Sequence, residues 1–213
     1  MNPFEVKMAE FIQGEMKTDP AHDFQHVLRV VKSARMLCAK EQAIMEVVLP
    51  AAWLHDCLTL AKDHPQRALS SQLAADKAIE FLAQIGYPKE HFEAIHHAII
   101  AHSFSANITP QTIEASIVQD ADRLDALGAI GVARCIQVSA QLKRNLYCPD
   151  DPFCQHREPN DSLYTLDHFY QKLLHIGQSM GTESARREAV KRNDFMHQFI
   201  RQLDKEITPG KFL

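Results

Sequence analysis

Four short segments carry imidazole and carboxylate groups in patterns that can do chemistry. His22 and His26 stand four positions apart, which puts both on one face of a helix. His55 and Asp56 are adjacent at the end of the apolar run "AAWLHDCL". His96, His97 and His102 fall in "AIHHAIIAHS", and Asp120, Asp122 and Asp125 in "QDADRLDALG". On a helix Asp122 and Asp125 lie about a turn apart, while Asp120 points the other way. A carboxylate in an oily setting costs on the order of several kcal/mol, comparable with a domain's whole margin of stability, unless something neutralises it. A helix terminus, an arginine such as Arg29 or Arg123, or a metal ion would each serve. If the helices pack around a shared point, imidazoles and carboxylates make a mixed nitrogen and oxygen site with room for water. Such a set suits one divalent ion, with manganese, iron, cobalt or nickel favoured and magnesium admitted. Structural zinc would more often bring several cysteines.

The elements that must position these groups read as helices throughout. Seven glycines, ten prolines and almost no alternating apolar pattern leave little for a sheet. Phe4, Met8, Phe11 and Ile12 are spaced for a short first helix. Phe24, Val27, Leu28, Val31, Ala34 and Leu37 form one stripe of a second. A third, "EQAIMEVVLPAAWLHDCL", contains Pro50, which predicts a kink or a break. A fourth ends at Gly86, and a fifth starts with Pro88 in its first turn. The stretch after Thr109, with Thr109 as cap and Pro110 behind it, is long enough for two helices divided near Gly128. Residues 144–164 read as an ordered loop or lid, and residues 165–206 as the closing helices. With no repeat, low-complexity tract or flexible linker, the reading is a single all-α domain over 1–213, its metal core at about 20–140.

Bulk properties exclude several classes. The net charge of −4 argues against a partner that is a nucleic-acid polymer, which would want a basic field, but leaves room for a nucleotide in a local basic pocket. The longest uninterrupted apolar run, Val47 to Leu54, is far short of the roughly 20 residues of a membrane span. The N-terminal "MNPFEVKMAEF" lacks the pattern of a signal peptide. Five cysteines with no C-x-x-C pair suit reduced thiols, so the expected location is the cytoplasm. Cys148, Cys154 and His156 match no common zinc spacing.

His26, the pair His55-Asp56, and Asp122, in this order and spacing, resemble the H…HD…D signature of the HD-domain metal-dependent phosphohydrolases. The segments "AHDFQHVLRV", "AAWLHDC", "AKDHPQRALSS", "IIAHSFSA", "VQDADRLDALGAIGVAR" and "DHFYQKLL" are similar to the YedJ-like branch, from about residue 20 to beyond 200. The ordered set carries the resemblance; a lone His-Asp dipeptide carries nothing, since His22-Asp23 is a second copy. The resemblance implies an α-helical bundle around a single metal centre, with His26, His55, Asp56 and Asp122 as its ligands. It also implies a small-molecule phosphate substrate, expected to be a nucleotide, and hydrolysis of an anhydride or ester. A metal ion there would lower the pKa of its water. Asp125 is the suggested base. His22 and Arg123 are placed behind the ligands, Arg123 orienting Asp125 or another acid. Lys62, His64 and Arg67 follow Asp56 by six to eleven residues and can reach a phosphate. His102 with Ser103, and Lys172 from "HFYQKLL", are further substrate contacts. At least one of His96 and His97 is read as a surface histidine; with His102 they could otherwise serve a second ion.

Overall fold

The computed structural model describes residues 2–15, 23–60, 64–103 and 106–207. Among these the chain is all-α, and its one extended contact is an isolated bridge between Asn145 and Tyr164. Internal contacts divide it into two compact units. One comprises Met1–Asp122 with Gly181–Ala185, the other Arg123–Met180 with Arg186–Leu213.

The first unit holds α1 (Pro3–Glu15), α2 (Phe24–Glu41), α3 (Met45–Leu54), α4 (Ser70–Gln84), α5 (Phe92–His102) and most of α6 (Ile113–Leu124). Helix α3 packs on α1, α2 and α5, and α4 on α5. Val27, Val30 and Leu37 of α2, Trp53 and Leu54 of α3, Leu82 of α4 and Ile95 and Ile99 of α5 are buried. The indole N–H of Trp53 reaches Glu5 Oε2 at 3.5 Å, and Arg35 pairs with the same buried carboxylate.

Helix α3 runs through Pro50 without a break. Proline has no N–H for the carbonyl four residues back, so Glu46 O loses its helical donor. The Tyr87 hydroxyl donates to that oxygen at 2.7 Å. A tertiary contact thus supplies the bond that local sequence withholds. The cap of α6 also differs from the expectation: Thr112, not Thr109, accepts the Ala115 amide, at 3.1 Å. Upstream, Gln111 N is engaged by His97 Nε2 at 2.9 Å, which holds residue 111 outside the helix. Gly86 ends the α4 region as predicted, its φ of 75° being one that side chains disfavour.

The second unit contains α7 (Gly128–Gln141), α8 (Thr165–His168), a π-helical turn at Phe169–Leu173, α9 (Leu174–Ile176) and most of α10 (Glu183–Ile207). The predicted division at Gly128 is present; its φ is 69°, and an added Cβ would stand 3.2 Å from Arg192 Cγ. Residues 144–164 form an ordered loop. Arg157 grips the buried Asp167 with two bonds of 2.5 and 2.8 Å, and the Asn160 amide adds a third at 2.6 Å. Burial would raise the Asp167 carboxyl, but these donors hold it below the usual range.

Candidate metal centre

His26 sits in the first turn of α2. Asp23 caps that helix by accepting the His26 amide at 2.8 Å, so the aspartate of the second His-Asp dipeptide has a structural task. His55 follows the last residue of α3, Asp56 comes next, His102 ends α5, and Asp122 lies in the last turn of α6. All belong to the first unit.

These side chains face one another. His26 Nε2 lies 3.3 Å from His55 Nε2, 3.4 Å from Asp122 Oδ1 and 3.9 Å from Asp56 Oδ2. Asp56 Oδ2 is 3.5 Å from His55 Nε2, and its Oδ1 is 3.6 Å from His102 Nε2. One ligand atom from each of His26, His55 and Asp56 lies within 4.8 Å of the other two. His26 and His55 are fully buried, while Asp122 keeps 31% of its side chain exposed, an open side for solvent or substrate.

Protons explain why this cluster suits a cation. His55 Nδ1 donates to Ala52 O at 2.9 Å and His102 Nδ1 to Ile99 O at 2.5 Å. Each bond fixes a tautomer whose Nε2 turns a lone pair inward when the ring is neutral. Burial, opposed by Asp56, lowers the His55 pKa and keeps that ring neutral. Two carboxylates face the same point, so acceptors outnumber the protons available to them. Ligands about 2.1 Å from a shared ion would stand roughly 3.0–3.4 Å apart, close to the shorter separations here. The residues therefore fit a divalent metal. Burial also opposes charge on His102, but Asp56 outweighs it and raises that pKa. Burial alone would raise the Asp122 carboxyl; His26, with His55 and His102, overrides it and holds the group well below the carboxylate range.

A model of the HD domain matches residues 23–127. The uncharacterised protein YpgQ of Bacillus subtilis is 34% identical over 215 residues, spanning 97% of this chain and 96% of YpgQ. The chain belongs to the HD-domain family. Solved structures agree. That of Bacillus subtilis YpgQ in complex with ADP superposes with a TM-score of 0.73 at 32% identity, over 96% of this chain and 95% of that one. An HD-superfamily hydrolase from Bacillus thuringiensis gives 0.75 at 32%, over 96% and 97%. Lin1889 of Listeria innocua gives 0.74 at 30%, over 99% and 100%. The HD domain is a hydrolase fold that binds divalent metals, and the His-His-Asp group lies inside the matched span.

The other predicted site residues fall as follows. His22 and Lys62 lie outside the described residues. Gln66 N donates to His64 Nδ1 at 3.1 Å, which leaves the ring proton on Nε2, and the Arg67 guanidinium bonds the Leu60 carbonyl. Ser103 caps α5 directly after His102. His102, expected as a substrate contact, stands in the cluster itself against Asp56. His96 pairs with Asp76 at 2.8 Å, a surface contact. Asp125, Arg123 and Lys172 belong to the second unit. There Asp125 Oδ2 accepts from Arg134 at 2.7 Å, and Arg123 donates to Ser179 O at 2.7 Å.

Asp120, set apart by its helical angle, accepts the amides of Gly181 and Thr182 and the Thr182 hydroxyl at 2.7–2.9 Å. Sequence reasoning missed Gln119. Its buried amide donates to Ala101 O at 2.7 Å, tying the residue before His102 to the helix that carries Asp122. The only signal was its position one turn before Asp122 on the same face.

Proposed function

We propose that this HD domain is a metal-dependent phosphohydrolase that cleaves a phosphoanhydride or phosphoester of a nucleotide, in the manner of a nucleoside triphosphate pyrophosphohydrolase. The observation that carries the reading is the convergence of His26, His55, Asp56 and Asp122 on one point. These four would hold a divalent ion, with manganese, iron, cobalt or nickel suited to the mixed donor set and magnesium admitted. Such an ion supplies water of lowered pKa and positive charge beside a phosphate oxygen.

The chain's own groups do the rest. Ala52 O and Ile99 O hold the His55 and His102 rings in the orientations the site needs. His102 steadies Asp56 from the far side. His64, through its Nε2–H, and Arg67, one of whose five donors goes to Leu60, are the proposed phosphate contacts, with Lys62 from the same stretch and Ser103 beside His102. The nucleotide class is supported by YpgQ, a relative crystallised with ADP. No described helix is long and apolar enough to cross a membrane, and we place the activity in the cytoplasm on a small-molecule substrate.

A panel of nucleotides and phosphoesters assayed for phosphate and pyrophosphate release with manganese, with and without EDTA, tests this. Asp122→Ala is expected to lose bound metal and turnover while keeping its helical spectrum. Undiminished hydrolysis in that variant refutes the site. Release confined to diesters or monophosphates would move the substrate class, and tight nucleotide binding without any release would make the domain a non-catalytic sensor.

A further inference from the structure

The chain leaves the metal cluster at Asp56 and enters α4 at Ser70, and two bonds lay it against that helix. The Cys57 thiol donates to Ala74 O at 3.2 Å, and Leu60 N donates to Ser70 Oγ at 3.1 Å. Ser70 and Ala74 stand one turn apart on the same face of α4. Both are buried, and their small side chains let another stretch of backbone approach. The carbonyl of Leu60 is taken as well, by the Arg67 guanidinium. Residue 60 is therefore held on both sides by groups seven and ten positions further on. Arg67 is fixed at its own backbone: its amide bonds His64 O at 3.0 Å, and it opens a 3-10 turn, Arg67–Leu69, in which Ser70 N returns to Arg67 O. All of these groups lie in the first unit.

A serine at the start of a helix ordinarily serves that helix's own first amides. Here the cap position is Leu69, which makes no side-chain bond, and Ser70 directs its hydroxyl to Leu60 instead. Ser70 is only 8% exposed, so water is a poor substitute for that oxygen. We infer that Ser70 is a positioning residue for Arg67: by holding Leu60 it fixes the carbonyl that anchors the guanidinium, so the remaining donors of the fork are presented in one direction. This rests on the proposed role of Arg67 as a phosphate contact. A guanidinium anchored at one end has less freedom to lose when it meets an anion. The Ser70 hydroxyl makes no bond to His26, His55, Asp56 or Asp122, so it acts on substrate binding rather than on the metal or its water.

Ser70→Ala is compared with the parent and with Ser70→Thr, which keeps the oxygen. Nitrogen-15 NMR follows exchange of the Leu60 amide and mobility of the Arg67 Nε–H, and needs no substrate. KM and kcat are measured with manganese on whichever nucleotides of the panel the parent hydrolyses. Ser70→Ala is expected to speed Leu60 exchange, loosen Arg67 and raise KM about three- to tenfold, with kcat and bound metal within about twofold of the parent. Ser70→Thr is expected to keep all four values, and in an Arg67→Ala background Ser70→Ala should change KM no further. An unmoved Arg67 Nε–H, a KM effect that adds to that of Arg67→Ala, or a fall in kcat equal to the rise in KM overturns the assignment. The two readings fail separately. A parent that hydrolyses nothing while Arg67 loosens in Ser70→Ala defeats the phosphohydrolase and leaves the anchoring of Arg67 intact; a parent that hydrolyses nucleotides while Arg67 stays put in Ser70→Ala does the reverse.

Discussion

Tyr87→Phe removes one oxygen and leaves the ring, with its edge contact to Phe4, in place. The lost group is the hydroxyl that covers Glu46 O, the carbonyl Pro50 cannot serve. A buried acceptor without a partner costs about 1–3 kcal/mol, against a net value of about 0.5–1.5 kcal/mol for an ordinary bond. Tyr87 is 8% exposed, so water compensates little, and a loss of about 1–2 kcal/mol is expected. The mechanism is specific enough to be isolated. In a Pro50→Ala background the new amide can donate to Glu46 O, and Tyr87→Phe should cost about 1 kcal/mol less there than in the parent. Urea unfolding followed through Trp53, the only tryptophan and itself on α3, measures all four corners of the cycle. Alkali gives a second reading. Burial, then Glu46 and Glu5, push the Tyr87 phenol up to about 12. Its neutral form is therefore favoured by folding. That contribution is complete below the unfolded value near 10 and lost as pH rises toward 12, a limb Tyr87→Phe lacks. Equal cost of Tyr87→Phe in both backgrounds would refute the account of how α3 survives its proline.

Three further outcomes follow from contacts of the same kind. Asp167→Asn should cost about 2–3 kcal/mol by leaving Arg157 without its charged partner, read as faster amide exchange across residues 144–164. In the parent, Asp167 has a depressed pKa, so its contribution is present above the unfolded value near 3.9 and lost as pH falls through the folded one; the loop should loosen selectively in acid. Gln119→Leu should lower metal affinity by about tenfold with the ligands untouched, measured by competition with a chelator, because Ala101 O loses its tie to α6.

The sequence carried the helices wherever an apolar stripe met a local stop signal: the stripe of α2, Gly86 after α4 and Gly128 before α7 all stand where their residues imply. It could not show that α3 continues through Pro50 rather than breaking there, because the compensating donor, Tyr87, is 41 positions from Glu46 and has no local signature. It placed the α6 cap at Thr109 for a similar reason, since His97 on another helix claims the amide of residue 111. Among the site residues, the order of His26, His55-Asp56 and Asp122 was readable and their mutual distances were not. His102 shows the limit. Its type and its place at a helix end were visible, but its approach to Asp56 depends on how α5 packs against α3.

That packing also explains why acids can sit where helix electrostatics disfavours them. His55 follows the C-terminus of α3, His102 is the last residue of α5, and Asp122 is in the last turn of α6. Each C-terminus carries roughly half a negative charge on its unpaired carbonyls, which favours cations and opposes carboxylates. The two imidazole N–H groups given to Ala52 O and Ile99 O satisfy one carbonyl apiece, and in doing so spend the protons that could have faced Asp56 and Asp122. The fold thus collects negative helix ends, two carboxylates and inward lone pairs in one buried place. Surface charges could not offset such an arrangement through water, since Coulomb attraction stays strong over distance only where solvent is excluded. A cation held within bonding distance of several donors offsets all of these terms at once, which is the physical reason the metal reading outranks helix capping or an arginine pair for this cluster.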